Sequence, residues 1–130
     1  MKKFAALIIV LTLHYSPLAF AQDPEPSARI ETMLKSLKPG ELEFAIPAFA
    51  KDSLIPKGVV DSIMAQTKSV MTLDKSILGY ELIQEQNIGT SVKRFTYVLK
   101  MSDQPVYWNF SFYKPADKWV PLNLYFFFEQ

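Results

Sequence analysis

The spacing of apolar residues changes once along this 130-residue chain, and that change limits the folds open to it. Before about residue 78, apolar side chains recur at helical spacing, and after it they alternate with polar side chains as they do in β-strands. Helical segments followed by consecutive strands with short connections favour an α+β domain. The sequence therefore predicts two or three N-terminal helices packed on a four-stranded antiparallel meander.

Two main helices are predicted. Residues 28–37 carry one apolar face, with Ser27 as N-cap and Pro39 with Gly40 as the stop. Residues 56–71 form the second helix, which begins at Pro56 and whose apolar stripe comprises Val60, Ile63, Met64, Thr67 and Met71. Between them, residues 41–53 also have helical spacing, but Pro47 inside a helix costs about 3 kcal/mol. We therefore expect one or two short helical turns there.

Four strands are predicted at 80–88, 92–102, 105–113 and 119–128, and their short connections require antiparallel neighbours. Alternation assigns one set of side chains to the face that meets the helices: Phe95, Tyr97, Leu99, Met101, Trp108, Phe110, Phe112, Leu122, Leu124, Phe126 and Phe128. The other face carries Arg94, Thr96, Lys100, Tyr107, Asn109, Ser111, Tyr113, Asn123, Tyr125 and Phe127. Pro121 has no N–H to donate to a ladder, which favours an edge position for the last strand.

The candidate site residues are sorted by these two faces. Met64, Tyr97, Trp108 and Phe110 are predicted to line the core or a pocket for a small apolar ligand. Tyr107, Tyr113, Tyr125 and Phe127 gather on the outer face, where a solvated sheet would carry charges and threonine. We expect them to form a surface for a partner, most simply a second copy of the chain. The alternative is that a terminal loop or residues 22–27 cover these rings.

The N-terminus has the order of a secretory signal. Lys2 and Lys3 precede an apolar run from Phe4 to Leu13, too short to span a membrane, and Ala19 and Ala21 place cleavage before Gln22. The alternative, a buried first helix, does not account for the all-round apolar surface behind a basic start. We expect residues 1–21 to be removed, residues 22–27 to form a flexible lead-in and residues 28–130 to form one soluble domain, periplasmic or secreted, with no membrane span.

Composition narrows the chemistry of that exported domain. Loss of the signal removes two of the fourteen Lys and Arg residues, leaving twelve against thirteen Asp and Glu, a balance that argues against nucleic-acid binding. The chain has no cysteine, and its single histidine, His14, lies in the signal. The mature chain then has no Ser-His-Asp or Cys-His nucleophile system and no ordinary zinc ligands. We predict no catalytic residue, no metal and no cofactor.

The last predicted hairpin reads Phe112-Tyr113-Lys114-Pro115-Ala116-Asp117-Lys118-Trp119 before a closing apolar strand. With helices ahead of a long meander, this resembles the NTF2-like, or cystatin-like, α+β superfamily, and its small exported members most. The resemblance implies a curved sheet that wraps a helix and leaves a conical pocket, used for ligands, catalysis or dimerisation. Two features depart from it: no histidine matches the one that often joins Asp in the superfamily's dehydratases, and no Asp faces inward on the last three strands.

Two functions follow as expectations. The first is an exported, non-enzymatic binding or protein-interaction module with a hydrophobic pocket or an aromatic sheet face. The alternative is a pocket enzyme of the ketosteroid-isomerase type, in which an Asp base and Tyr donors need no histidine. A buried carboxylate within hydrogen-bond reach of a pocket tyrosine would favour the enzyme, and a dry apolar cavity would favour the binder.

Overall fold

The computed structural model describes residues 26–71 and 76–129. Within this part of the chain, three helices precede four strands: α1 (Pro26–Lys35), α2 (Leu42–Ala50), α3 (Lys57–Met71), β1 (Ile77–Ile88), β2 (Val92–Met101), β3 (Pro105–Tyr113) and β4 (Val120–Phe128). The strands form one sheet in the order β1-β2-β3-β4, and each neighbouring pair is antiparallel. The predicted α+β class and the meander are confirmed. The predicted signal segment and its cleavage site lie outside the described residues.

Helix α1 begins at Pro26, two residues before the predicted start, and Ser27 lies inside the helix, so its assignment as N-cap was wrong. Proline suits a first helical position because the N–H that it lacks would have no partner there. The apolar stripe of α1 is buried as predicted, from Ile30 to Leu37, although the regular helix ends at Lys35. None of the described helices is long and apolar enough to cross a membrane.

Helix α2 is longer than the one or two turns expected. It continues through Pro47, which lies in its interior. Its buried residues are Leu42, Ala45, Ile46 and Phe49. Full burial of Ile46 and Phe49 contributes about 1.5 to 3 kcal/mol for each side chain, which offsets a proline cost of about 3 kcal/mol. Pro47 itself is exposed, so its ring does not interrupt the packing.

Helix α3 begins at Lys57 and not at Pro56, whose carbonyl instead accepts the N–H groups of Val59 and Val60. The predicted stripe faces the core at Val60, Ile63 and Thr67. The Thr67 hydroxyl donates to the Ile63 carbonyl at 2.7 Å, which satisfies a buried polar group within the helix itself. Apolar packing of this stripe holds α3 against the other helices.

The predicted inner face of the sheet is buried under the helices except on β4, where Phe126 and Phe128 are half-buried against the core and Leu122 is exposed. Its buried members are Phe95, Tyr97, Leu99, Met101, Trp108, Phe110, Phe112 and Leu124, and Val106 joins them. Together with the buried residues of the three helices they form one hydrophobic core. This layer contributes most of the apolar burial that stabilises the fold.

Leu122, predicted to face inward, is exposed and not buried. The pairing of β3 with β4 shifts between Ser111 and Phe112, so Phe112 faces Pro121 while Ser111 faces Asn123. Leu122 is the extra residue of this bulge, which turns Pro121 inward. The edge position predicted for the last strand is confirmed, since β4 has a single neighbour in the sheet.

Candidate functional site: an aromatic sheet surface and a groove on the helical side

Four aromatic side chains lie on the outer face of β3 and β4: Tyr107, Tyr113, Tyr125 and Phe127, here named the aromatic surface. Tyr125 is 45% exposed and Phe127 is 40% exposed. Tyr113 is also exposed, and Tyr107 is half-buried. The structure thus brings together on one face, open to solvent, the four residues that alternation in the sequence predicted as a partner surface.

Three of these rings form a continuous cluster near the C-terminal end of β4. Tyr107 and Phe127 face each other across the two strands and stack with ring centroids 5.3 Å apart and planes at 19°. Tyr125 lies 6.3 Å from Phe127 along β4. The Tyr107 hydroxyl donates to the Glu129 carboxylate, and this hydrogen bond raises the pKa of Tyr107. The phenol of Tyr107 is therefore a neutral donor at physiological pH.

A polar row fixes Tyr125 beside this cluster. Thr96, Asn109 and Tyr125 occupy successive register positions across β2, β3 and β4. The Thr96 hydroxyl donates to Asn109 Oδ1 at 2.7 Å, and Asn109 Nδ2 donates to the Tyr125 hydroxyl at 2.7 Å. The row lies in a shallow depression of about 480 Å³. Because Asn109 is itself held by Thr96, its hydrogen bond gives the exposed ring of Tyr125 a defined position.

The outer positions of β3 and β4 carry no charged side chain. They are Tyr107, Asn109, Ser111, Tyr113, Leu122, Asn123, Tyr125 and Phe127. Charges occur instead on the outer side of β1 and β2, where Lys100 pairs with Glu81 at 3.3 Å. A face that only meets water would carry charges on all four strands. Depletion of charge with enrichment in tyrosine is typical of the centre of a protein interface.

The residues predicted to line the core or a pocket lie in the core. Tyr97, Trp108 and Phe110 are buried, and Met64 is half-buried at its edge. Trp108 stacks on Phe110 at 5.9 Å with planes at 12°, and Tyr97 meets Phe110 edge-on at 6.1 Å. These contacts make the four residues packing elements, and none of them lines the cavity on the helical side of the sheet.

That cavity is an open groove of about 780 Å³ between α1, α2 and the loop that joins β3 to β4, here named the helical groove. Its apolar lining consists of Pro26, Ala28, Met33, Phe44, Ala45, Ala48, Phe49, Phe112, Trp119 and Val120. Its charged lining consists of Arg29, Glu41, Lys51, Asp52 and Lys118. Sequence reasoning missed this groove, and the one available signal was Trp119, an aromatic residue next to a loop rich in lysine.

Arg29 builds one wall of the helical groove and ties α1 to α2. Its Nε and Nη2 donate to the Phe49 carbonyl at 3.0 and 2.7 Å, and Nη2 also donates to the Lys51 carbonyl. These carbonyls lie at the C-terminus of α2, where the last turn of a helix has no partners of its own. Burial lowers the pKa of Arg29 below its usual value, and the nearby carboxylate of Asp52 offsets part of that shift. The guanidinium is thus held by backbone acceptors.

Trp119 also lines the helical groove, and two lysine ammonium groups lie over its ring. Lys93 Nζ lies 5.2 Å and Lys114 Nζ lies 5.5 Å from the ring centroid, both within cation–π range. Lys93 also pairs with Glu85 at 3.9 Å. Neither lysine lines the groove itself, so the two ammonium groups support the Trp119 ring that does.

One carboxylate–tyrosine contact bears on the enzyme alternative. The hydroxyls of Tyr80 and Tyr97 donate to the Glu31 carboxylate at 3.3 and 3.2 Å. Burial, followed by the neighbouring charge of Glu31, raises the pKa of Tyr97 well above its usual value. None of these three residues lines the helical groove or the depression on the outer face. The contact therefore favours a structural role, in which Glu31 satisfies two phenols at the edge of the core.

The raised pKa of Tyr97 has a measurable effect on alkaline stability. The folded state keeps the phenol protonated above pH 10, whereas the unfolded chain releases that proton near pH 10, so the free energy of unfolding falls as pH rises. The fall attributable to Tyr97 is about 1.4 kcal/mol per pH unit above pH 10. Urea melts from pH 9 to pH 11 should show a flatter profile for Tyr97→Phe than for wild type. Parallel profiles would contradict this assignment.

Among the residues that the structure describes, no group of three or more His, Cys, Asp and Glu side chains is placed to hold a metal ion. Comparison of the chain with protein-family models, with curated proteins and with solved structures finds no match. The function is therefore argued from the aromatic surface and the helical groove themselves.

Proposed function

We propose that this chain is an exported, non-enzymatic interaction module whose aromatic surface packs against the same surface of a second copy. The observation that carries the proposal is the uncharged outer face of β3 and β4, with Tyr125 and Phe127 exposed beside the sheet edge. Tyrosine and phenylalanine on such a face supply contact area at a small entropic cost. A two-fold axis near β4 would bring the two aromatic surfaces together.

The size of the sheet sets how much of its outer face the proposed dimer must cover. Four strands about 4.8 Å apart, with about nine residues at 3.3 Å each, give an outer face of roughly 600 Å² in projection. The accessible surface of a side-chain-covered face exceeds its projection, and a stable interface needs about 800 Å² from each partner. Strands β3 and β4 supply about half of that area, so face-to-face packing reaches the size of an ordinary dimer only if it also covers the outer face of β1 and β2, where Lys100 pairs with Glu81.

The alternative cover, the chain's own lead-in, is less favoured by the position of Pro26. This residue lines the helical groove, on the side of the sheet that carries the helices. Residues 22–25 would have to pass around an edge of the sheet to reach the rings on the other face. The resemblance to the NTF2-like superfamily, some of whose members dimerise, supports an intermolecular contact instead.

A double substitution of Tyr125→Ser and Phe127→Ser tests the dimer. By light scattering, wild type is expected at twice the chain mass at micromolar concentration, and the variant at the chain mass. A matched variant, Phe44→Ser with Val59→Ser, removes two exposed apolar side chains on the helices and should stay dimeric. The proposal fails if wild type is monomeric at high concentration and the double serine variant melts well below it, because the rings would then serve internal packing.

A further inference from the structure

The helical groove presents apolar surface that the fold does not use. Phe44, at its mouth, is 75% exposed, and Trp119 and Val120 on the facing loop and strand are half-buried. Its volume of about 780 Å³ lies within the range of about 300 to 1,000 Å³ typical of small-molecule sites. Such sites are mostly apolar, with a few polar groups that orient the ligand.

Two lysines that line the groove differ from the other charged groups near it. Glu41 is 3.8 Å from Lys38, and Asp52 acts on the guanidinium of Arg29. Lys51 and Lys118 both line the groove, and neither has an ion pair with any residue that the structure describes. An apolar wall lined by these two lysine ammonium groups is complementary to a molecule that joins an apolar tail to a negative head.

We propose that the helical groove binds a single-chain carboxylate amphiphile, of the fatty-acid class, with its carboxylate at Lys51 and Lys118. The alkyl chain lies along the apolar side chains contributed by α1, α2 and the β3–β4 loop, among them Phe44 and Trp119. A flexible chain suits this wall because its apolar groups come from three separate segments. This site lies on the helical side of the sheet and is independent of the dimer surface.

The competing occupant is the chain's own segment before Pro26, whose residues Asp23 and Glu25 are also negative. After the cleavage proposed before Gln22, this segment consists of Gln22, Asp23, Pro24 and Glu25, and apart from proline these residues carry no apolar side chain. Their negative charges are complementary to the two lysines, but they have no apolar group to pack against the aromatic walls. A carboxylate with an alkyl chain matches both, and for that reason it is the occupant we propose.

Calorimetric titration of the purified protein with decanoate, dodecanoate and tetradecanoate, each below its micelle concentration, tests the apolar part. Full burial of a methylene is worth about 0.8 kcal/mol, or roughly a factor of four in affinity. We expect affinity to rise at least about 4-fold for each pair of methylenes, since the groove is open on one side. Affinity that is independent of chain length, or no binding of tetradecanoate, would overturn the proposal.

Charge reversal tests the head group. The variant Lys51→Glu with Lys118→Glu should bind dodecanoate at least about 10-fold more weakly, and dodecanol as before. Lys68→Glu, an exposed lysine of α3 outside the groove, is the matched control and should change neither affinity. Equal losses for dodecanoate and dodecanol would contradict the proposed head-group contact. A 10-fold gain in dodecanoate affinity on Asp23→Asn with Glu25→Gln would assign the lysines to the chain's own segment and overturn the proposal.

Discussion

Replacing Trp108 with alanine is expected to lower the free energy of unfolding by about 3 to 5 kcal/mol, the usual cost of truncating a large aromatic in a packed core. Trp108 is 1% exposed and contacts Phe110 and Phe126, with ring centroids 5.9 and 5.0 Å away. No part of the fold can fill the space of an indole between these rings without moving the sheet or the helices. Urea denaturation of the two proteins under identical conditions gives the difference directly.

Two further variants separate packing from other effects. Tyr107→Ala, one residue away on the opposite face, should cost much less, because it loses only the stacked ring of Phe127 and the exposed hydrogen bond to Glu129. Trp108→Phe should cost less than half as much as Trp108→Ala. The indole Nε1 has no hydrogen-bond acceptor among the described residues, so phenylalanine loses volume but no hydrogen bond. Equal losses for Tyr107→Ala and Trp108→Ala would show that the strand register is wrong.

Arg29→Met is the second substitution with a large expected effect, a loss of about 2 kcal/mol in the free energy of unfolding. Methionine keeps the aliphatic stem but removes the donors to the carbonyls of Phe49 and Lys51 at the end of α2. It also removes the cation that lies 5.7 Å from the centroid of the Phe49 ring. Thermal and urea melts of the variant measure this loss.

Arg29→Lys serves as the control for charge alone. An ammonium group cannot reproduce the planar fork that bonds the Phe49 carbonyl through two nitrogens, so lysine should restore only part of the lost stability. Full stability in both variants would mean that solvent satisfies the end of α2 equally well. Such a result would show that Arg29 does not contribute to holding α1 and α2 together.

Much of the fold could be predicted because the period of the apolar pattern is a local property of the sequence. The inner positions of β2 and β3, such as Phe95 and Phe110, follow strict alternation and are buried as expected. Leu122 could not be placed in the same way. A bulge changes which residues of a strand face inward, and no residue type in the strand identifies it. Pro121 indicated an edge strand but not this shift.

Helix α2 shows a second limit, set by competing energies of similar size. A proline at position 47 argues against a helix, and the buried stripe around it argues for one. Only the tertiary packing, in which Ile46 and Phe49 enter the core, decides between terms of about 3 kcal/mol on each side. A prediction from local propensity has no access to that packing.

The aromatic surface and the helical groove also differ in whether the sequence predicts them. The aromatic surface could be predicted because Tyr107, Tyr113, Tyr125 and Phe127 share the phase of two adjacent strands. The helical groove could not be predicted, because its walls come from Pro26, Ala48 and Trp119, which are far apart in the chain. Its shape depends on how α1, α2 and the β3–β4 loop pack, and the spacing of apolar residues in the sequence does not indicate that packing.

The most direct test of the central claim is side-chain footprinting by hydroxyl radicals at low and at high protein concentration. If two copies pack through the aromatic surface, the oxidation rates of Tyr125 and Phe127 should fall at least about 3-fold at high concentration. Phe44, exposed on the helical side, is the internal reference and should react at the same rate in both samples. Unchanged rates for Tyr125 and Phe127 at a concentration where the mass is that of a dimer, or protection of Phe44 in their place, would contradict the claim.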